Sequence, residues 1–424
     1  GAREAAQARG RLAWAVVAGG AALSALLLLV GLYPLGASDI FDYIFFGRAV
    51  TIHGANPYYV RPDDIPYDPL LPYVGWRRAT TAYGPLWTLL SAALGQVALW
   101  LGDSLLVQVL LYKLTAVVGS AACALLIAVL LKRAAPGPKG RPALLGVYLW
   151  SWNPLQLFVT AGNGHNDAVM MAPVLLALWL AVRRRWTSAG LAMLAGALIK
   201  FIPVLLVPLL GVVALRQLQA AARRRFIATT AGGSAALLLA AFAPFWERGD
   251  MLALARRASL FTTSLPAWVW SLSPTYWESD EVQAWAARGA LLLLGGAVWL
   301  ASLFVWRQPT VLNLVRASTA LLLFYLLAAV LWFQPWYAIW PLALAALLPD
   351  GALRRASLLL TYFATWKAPL FEYFLATPGQ PLPTKRWRER WLFPLVLGPI
   401  WLYCLVRLVL RAGLRRYRRA GSSN

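Results

Sequence analysis

Residues 11–35 read RLAWAVVAGGAALSALLLLVGLYPL, and no charge interrupts the run after Arg11. At 1.5 Å per residue such a helix crosses a hydrocarbon core of about 30 Å. A secretory signal has a shorter apolar core, about 7–15 residues, followed by a small-residue cleavage site, so this run reads as a retained span. Comparable runs recur to the end of the chain. Of the 424 residues, 60% are hydrophobic and 13% charged, against about 25% charged in a soluble domain. In lipid the backbone must satisfy its own hydrogen bonds, which leaves helices as the structure for runs of this length. The expected fold class is therefore all-α, a polytopic transmembrane bundle of about 12 spans. No soluble domain is visible beyond the loops, so residues 1–424 read as a single membrane domain.

The net charge of +23 would suggest nucleic acid in a soluble protein. Here the positive-inside rule accounts for it, because Lys and Arg accumulate in cytoplasmic loops. Nucleic acid is therefore not expected as a partner, whereas membrane lipid is. Cys123 and Cys404 fall inside apolar runs, which argues against a disulfide framework.

Basic clusters orient the spans of an integral, multi-pass plasma-membrane protein. The basic residues from Arg3 to Arg11 lie inside, so the first span exits and residues 36–103 form a long first outer loop. Lys132, Arg133, Lys139 and Arg141 form the next inside cluster, leaving room for one full crossing between residues 83 and 131. Residues 104–131 are the better crossing, and residues 84–101 then lie on or dip into the outer face. The alternative makes both runs full crossings and moves the Lys132 cluster outside. Residues 142–158 go out, and residues 168–182 return to Arg183, Arg184 and Arg185. Residues 189–202 and 203–215 form a hairpin, and alternating spans follow to the basic tail at residues 411–419. A last outer loop covers residues 375–391. All sixteen acidic residues but Glu4 and Asp350 then fall outside or at outer span ends. Carboxylates hardly affect orientation, so the skew is independent of how the spans were placed. It points to carboxylate chemistry on the extracytoplasmic side.

The first outer loop begins Ser38-Asp39-Ile40-Phe41-Asp42-Tyr43, with Gly47-Arg48 following. In a helix Asp39, Asp42 and Tyr43 share one face. A carboxylate at the membrane boundary is costly to desolvate and is usually paired or functional. A base that takes a hydroxyl proton needs that partly shielded position. The structural alternative is helix capping by Ser38 or Asp39. His53-Gly54-Ala55-Asn56-Pro57-Tyr58 and Tyr83-Gly84-Pro85 come next. Their rings suit either a sugar-stacking surface or anchoring at the lipid interface. Asn163-Gly164-His165-Asn166-Asp167 lies at an outer mouth, where polar positioning of a substrate is the expected role. Two histidines and scattered carboxylates do not make a ligand set, so no metal site is expected. Lys200 stands at the tip of an apolar hairpin with no acidic neighbour in sequence, a functional candidate that a phosphate would satisfy; the alternative is snorkelling to headgroups. Gln334-Pro335-Trp336-Tyr337 forms an aromatic break. Lys385-Arg386-Trp387-Arg388-Glu389-Arg390 sets positive charge outside, against the usual pattern, which suggests an anion such as a lipid phosphate.

Taken in order, these segments resemble the GT-C superfamily of integral membrane glycosyltransferases, most of all the bacterial polyprenyl-phosphate-mannose-dependent mannosyltransferases. The likeness runs from Ser38 to about Trp340 and rests on Ser38-Asp39, Tyr43, Gly47-Arg48, His53-Gly54, Asn56-Pro57-Tyr58, Tyr83-Gly84-Pro85, Gly164-His165-Asn166-Asp167, Lys200 and Gln334-Pro335-Trp336-Tyr337. It implies membrane-parallel helices in the first outer loop and Asp39 as catalytic base, with Asp42 the alternative. It implies a polyprenyl-phosphate sugar donor, a glycan or glycolipid acceptor, inversion at the anomeric carbon, and no cofactor beyond the donor itself. Substrate contacts are expected from Tyr43, Arg48, His53, Asn56, Tyr58, Tyr83, His165, Asn166, Asp167, Lys200, Gln334, Trp336, Tyr337, Arg386 and Arg388. The rival class is a transporter or lipid flippase, but no internal repeat is present and the carboxylates able to pair with mid-membrane bases cluster at the outer face.

Overall fold

The computed structural model describes residues 2–34, 38–134, 141–247, 261–274, 279–370 and 385–421. Lys139, residues 36–37 of the first outer loop and residues 375–384 of the last lie outside the described residues. The described chain is all-α; among those residues strand pairing is confined to an isolated bridge between Thr262 and Trp332. It divides into two units, Gly1–Ala253 with Ala301–Ala317, and Leu254–Leu300 with Ser318–Asn424.

In the first unit, α1 (Ala2–Gly31) turns many apolar side chains outward beyond Gly10, with Leu27 63% and Val30 69% exposed. A helix that shows so much apolar surface on every side is at home in lipid, not water. Next come α2 (Asp39–Thr51), α3 (Pro85–Trp100) and α4 (Leu105–Ala134). Lys113 on α4 donates to the carbonyls of Leu28, Leu29 and Leu32 at 2.8, 2.8 and 2.7 Å. These carbonyls lie in and just past the last turn of α1, so the lysine both caps that helix and sheds its own burial cost. Beyond α5 (Arg141–Ser151), Asn153 accepts from the Gln156 amide and starts α6 (Pro154–Leu157), which continues into a π-helical turn at Phe158–Gly162. The chain then bends by 115° into α7 (Asp167–Val182). A turn through Arg184, whose φ is +58°, reverses it into α8 (Trp186–Ile199). α9 (Val207–Gln217) and α10 (Ala220–Phe242) follow. α7 packs most extensively on α8 and α4, and α2 lies along α3.

In the second unit, α11 (Leu265–Leu272) is capped by Ser264, whose Oγ accepts from the Ala267 amide at 3.2 Å. α12 (Ser279–Arg307) and α13 (Val311–Phe324) contribute residues to both units. α14 (Ile339–Ala345), α15 (Ala352–Thr365), the single turn α16 (Lys367–Pro369), α17 (Lys385–Val396) and α18 (Gly398–Gly421) complete the chain. Every residue of α14 is buried.

Five described helices are long and apolar enough to cross a membrane, seven if each bent pair counts as one span. Four shorter apolar helices accompany them, α3 and α8 among them. The runs expected at residues 104–131 and 168–182 appear as α4 and α7, within one to three residues of those bounds. The hairpin around Lys200 is formed by α8 and the Ile202–Gln217 helix.

Candidate active site

Four helix ends meet in the first unit. Asp39 is the first residue of α2 and Asp167 the first of α7, so both carboxylates stand where the helix dipole favours negative charge. Lys200 ends α8 at its C-cap, where a cation is favoured. Tyr83 precedes Gly84, the N-cap of α3. Gly84 brings the ends of α3 and α8 together: its amide donates to the Ile199 carbonyl at 3.0 Å, and a Cβ at this position would overlap the Leu198 carbonyl oxygen. The Tyr83-Gly84-Pro85 motif is thus explained by a backbone approach that only glycine allows.

Within this cluster the Tyr83 hydroxyl donates to Asp39 Oδ2 at 3.2 Å, and His165 Nδ1 lies 3.8 Å from the same oxygen. Lys200 Nζ is 2.8 Å from Asp167 Oδ1. Lys200 has no acidic neighbour in sequence, but the fold supplies one in space. The lysine and its acid are 33 residues apart, but the antiparallel return of α8 along α7 sets the end of one helix beside the start of the other. The Lys200 ammonium also lies 6.0 Å from the centre of the Tyr83 ring. Tyr43 approaches Asn166 Oδ1 at 3.5 Å and meets Tyr83 and Trp87 edge-on.

The two candidate bases differ in charge state. Burial pushes Asp39 up to about 6; the nearby Lys200 holds it down, Asp167 raises it, and hydrogen bonds from Tyr83 and the Trp76 side chain lower it. Burial raises Asp42 further, to about 8, despite backbone donors at Trp76 and Gly75 and with Asp39 adding repulsion. Asp42 Oδ1 accepts from the Trp76 amide at 3.0 Å, while its Oδ2 is buried without a hydrogen-bond partner. At neutral pH Asp39 is ionised and Asp42 keeps its proton. Capping does not account for the pair, because Ser38 occupies the N-cap with no side-chain cap bond.

Other expected contacts fall elsewhere. Arg48 lies nine residues along α2 from Asp39, about 14 Å at helical rise. There Arg48 Nε and His53 Nε2 converge on Asp68 Oδ2 at 3.1 and 2.7 Å, and Arg48 reaches Asp103 at 2.5 Å. Burial raises Asp68, but its bonds to His53, Leu70 and Arg48 outweigh that and hold its carboxyl below the usual range. This ionic knot pins the outer loop to the far end of α2. Asn56 donates to the Phe245 carbonyl at 2.7 Å and to Glu247 at 2.8 Å, and Tyr58 donates to the Tyr83 carbonyl at 3.0 Å. Both fasten the loop to neighbouring helices.

Within the second unit, Gln334 Oε1 accepts from Lys367 at 2.9 Å, and Tyr337 stacks on Trp340 with ring centres 4.4 Å apart beside Trp336. Arg386 donates to the Ser273 carbonyl at 2.8 Å and covers the Trp270 ring, and Arg390 donates to the Ser271 carbonyl at 2.9 Å. Arg388 is half-buried on the same helix. Buried Glu389 accepts from the Thr263 amide at 2.6 Å and from the Thr262 hydroxyl. Half of this basic cluster therefore caps the end of α11. Three residues that the local sequence did not single out emerge from the fold: Trp76, Lys113 and Asp103. Each acts on a partner at least 34 residues away, or across a helix end, and carries no motif of its own.

Residues 7–216 match the family model described as alpha-(1->6)-mannopyranosyltransferase, N-terminal domain. The N-terminal half of the chain is similar to this mannosyltransferase family. The matched stretch contains the whole Asp39, Tyr83, His165, Asp167 and Lys200 cluster. A curated relative, alpha-(1->6)-mannopyranosyltransferase A of Corynebacterium glutamicum, is 29% identical over 166 residues. That alignment covers 39% of this chain and 32% of the relative, so the match spans about a third of the relative's length. The resemblance to membrane mannosyltransferases read from the ordered motifs agrees with both findings.

Among the described residues no three His, Cys, Asp or Glu side chains gather as a metal-holding group. Lys200 is the cation beside Asp39 and Asp167.

Proposed function

We propose that the protein is a glycosyltransferase that moves mannose from a polyprenyl-phosphate donor to a hydroxyl of a glycan or glycolipid acceptor at the outer face of the plasma membrane. The observation that carries this reading is Asp39: a buried carboxylate, ionised at neutral pH, heading a helix in the segment similar to the mannosyltransferase family. Asp39 takes the proton of the acceptor hydroxyl as that oxygen attacks the anomeric carbon. The bond to the phosphate oxygen breaks, and the lipid phosphate leaves with the electron pair. Direct displacement inverts the anomeric centre, so a β-linked donor yields an α-mannoside. Tyr83 orients the carboxylate through its hydrogen bond, with His165 packed beside it, and Lys200, although paired with Asp167, is the nearby charge that favours ionised Asp39.

The transporter reading gains nothing from this arrangement. Lys200 is paired at a helix junction, and Lys113 is spent on the carbonyl end of α1. The test is transfer of radiolabelled mannose from polyprenyl-phosphate mannose to octyl α-mannoside by the purified full-length protein in lipid nanodiscs. Asp39→Asn should lose transfer by about 10²–10⁴-fold, the range that general-base catalysis contributes, while keeping its melting temperature. Wild-type rates in Asp39→Asn, or movement of lipid across sealed vesicles without any transfer, would reject the reading.

A further inference from the structure

Trp76 is the residue whose surroundings the proposed chemistry leaves unexplained. It is remote in sequence from α2, yet it reaches both carboxylates there. Its amide donates to Asp42 Oδ1 at 3.0 Å, and its side chain lies near enough to Asp39 to favour the ionised carboxylate. The indole N–H is the one donor a tryptophan side chain has. Gly75 makes the approach possible, because a Cβ there would overlap Ser38 Oγ at the head of α2. The two carboxylates are nearly hidden, at 7% and 1% exposed, while Trp76 beside them remains 38% exposed. Tyr73, three residues earlier, is also exposed, and its ring lies 5.7 Å from that of Phe41, between Asp39 and Asp42 in sequence. An exposed aromatic ledge therefore borders the buried base. The backbone at its edge is held by the bond to Asp42, so less conformational freedom remains to be lost when a ligand settles on it.

A pyranose has one face of C–H groups, apolar and slightly positive, which suits the negative face of an indole. Because Asp39 acts on the acceptor hydroxyl, the sugar beside it is the acceptor. On the reading of function given above, we infer that Trp76 is the acceptor-positioning residue: its ring stacks on the acceptor pyranose while its N–H fixes the Asp39 carboxylate that takes the proton. Placing the hydroxyl and the base through one side chain ties substrate position to base orientation.

The test uses full-length protein in nanodiscs, polyprenyl-phosphate mannose as donor and octyl α-mannoside as acceptor. Trp76→Ala should raise the acceptor KM about tenfold, in line with the worth of a stacked aromatic contact, and leave the donor KM unchanged. Trp76→Phe keeps a ring but loses the N–H. It should hold the acceptor KM within about threefold and move the acid limb of the kcat/KM profile to higher pH, because a bond that favoured ionised Asp39 is gone. A merely structural role moves neither the acceptor KM selectively nor the pH limb. An unchanged acceptor KM in Trp76→Ala, or a change confined to the donor KM, would overturn the inference and leave the ring as an interface anchor. Calorimetric binding of octyl α-mannoside separates this inference from the function itself. Wild-type binding that Trp76→Ala abolishes, with no transfer by either protein, would sustain the acceptor site and reject the transferase; absence of binding and transfer alike would overturn both.

Discussion

Replacing Lys200 by methionine removes the cation from a pair whose side chains are 15% and 0% exposed. Losing one partner of such a pair typically costs about 3–5 kcal/mol, because the other charge stays buried. The consequence for catalysis is separate and has a sign. Lys200 is the strongest influence holding the Asp39 carboxyl down, and Asp167 is the nearby charge pushing it up. With its pKa at about 6, Asp39 is mostly ionised at pH 7. In Lys200→Met its pKa should rise, and each unit that it rises above the working pH removes about tenfold of the reactive base. The acid limb of kcat/KM should therefore shift to higher pH, with a loss at pH 7 that shrinks by pH 9. Asp167→Asn should move the same limb to lower pH, because repulsion is gone and Lys200 remains. The double substitution should recover melting temperature relative to Lys200→Met, since no unpaired charge is left buried. Profiles of mannosyl transfer from pH 5 to 9, with melting curves in the same detergent, decide it. If the limb stays put in both single variants, or moves the same way in both, the ion pair is not coupled to Asp39 and the account of the base is wrong.

Asp42 has a folded pKa of about 8 against an ordinary 3.8, so the folded state holds a proton that the unfolded chain releases. Stability should fall as pH rises from about 4 to about 8. Asp42→Asn should flatten that dependence in melting curves while retaining transfer; an inactive Asp42→Asn would make Asp42 the base. Gly84→Ala places a Cβ against the Leu198 carbonyl, so it should separate Tyr83 from Lys200 and cut kcat by about tenfold or more, with near-wild-type kinetics refuting the close approach. Transfer should persist in EDTA, because Lys200 supplies the positive charge at the site; full loss restored by a divalent ion would recast Asp39 and Asp167 as ligands. A cysteine at Arg133, the exposed end of α4, should resist an impermeant thiol reagent in sealed cells, whereas labelling from outside would make α3 a full crossing.

The sequence alone determined the helical class, because long uncharged runs leave the backbone no partner but itself in lipid. It also determined that Asp39, Asp42 and Tyr43 share a face, since helical spacing is local. The ordered motifs singled out Tyr83, His165, Asp167 and Lys200, though not what they do to one another. Tertiary structure decided the rest. It paired Lys200 with Asp167 by folding α8 back along α7, and it turned Arg48 and His53 toward Asp68, away from the head of α2. It separated the two aspartates through unequal burial and placed Lys200 beside Asp39. It also brought Trp76 onto both. Each of these joins groups that are apart along the chain and meet only in the fold. Hydropathy periodicity reports which face of a helix is apolar, but charge state depends on what lies within a few ångströms in space, and only the packed chain sets that distance.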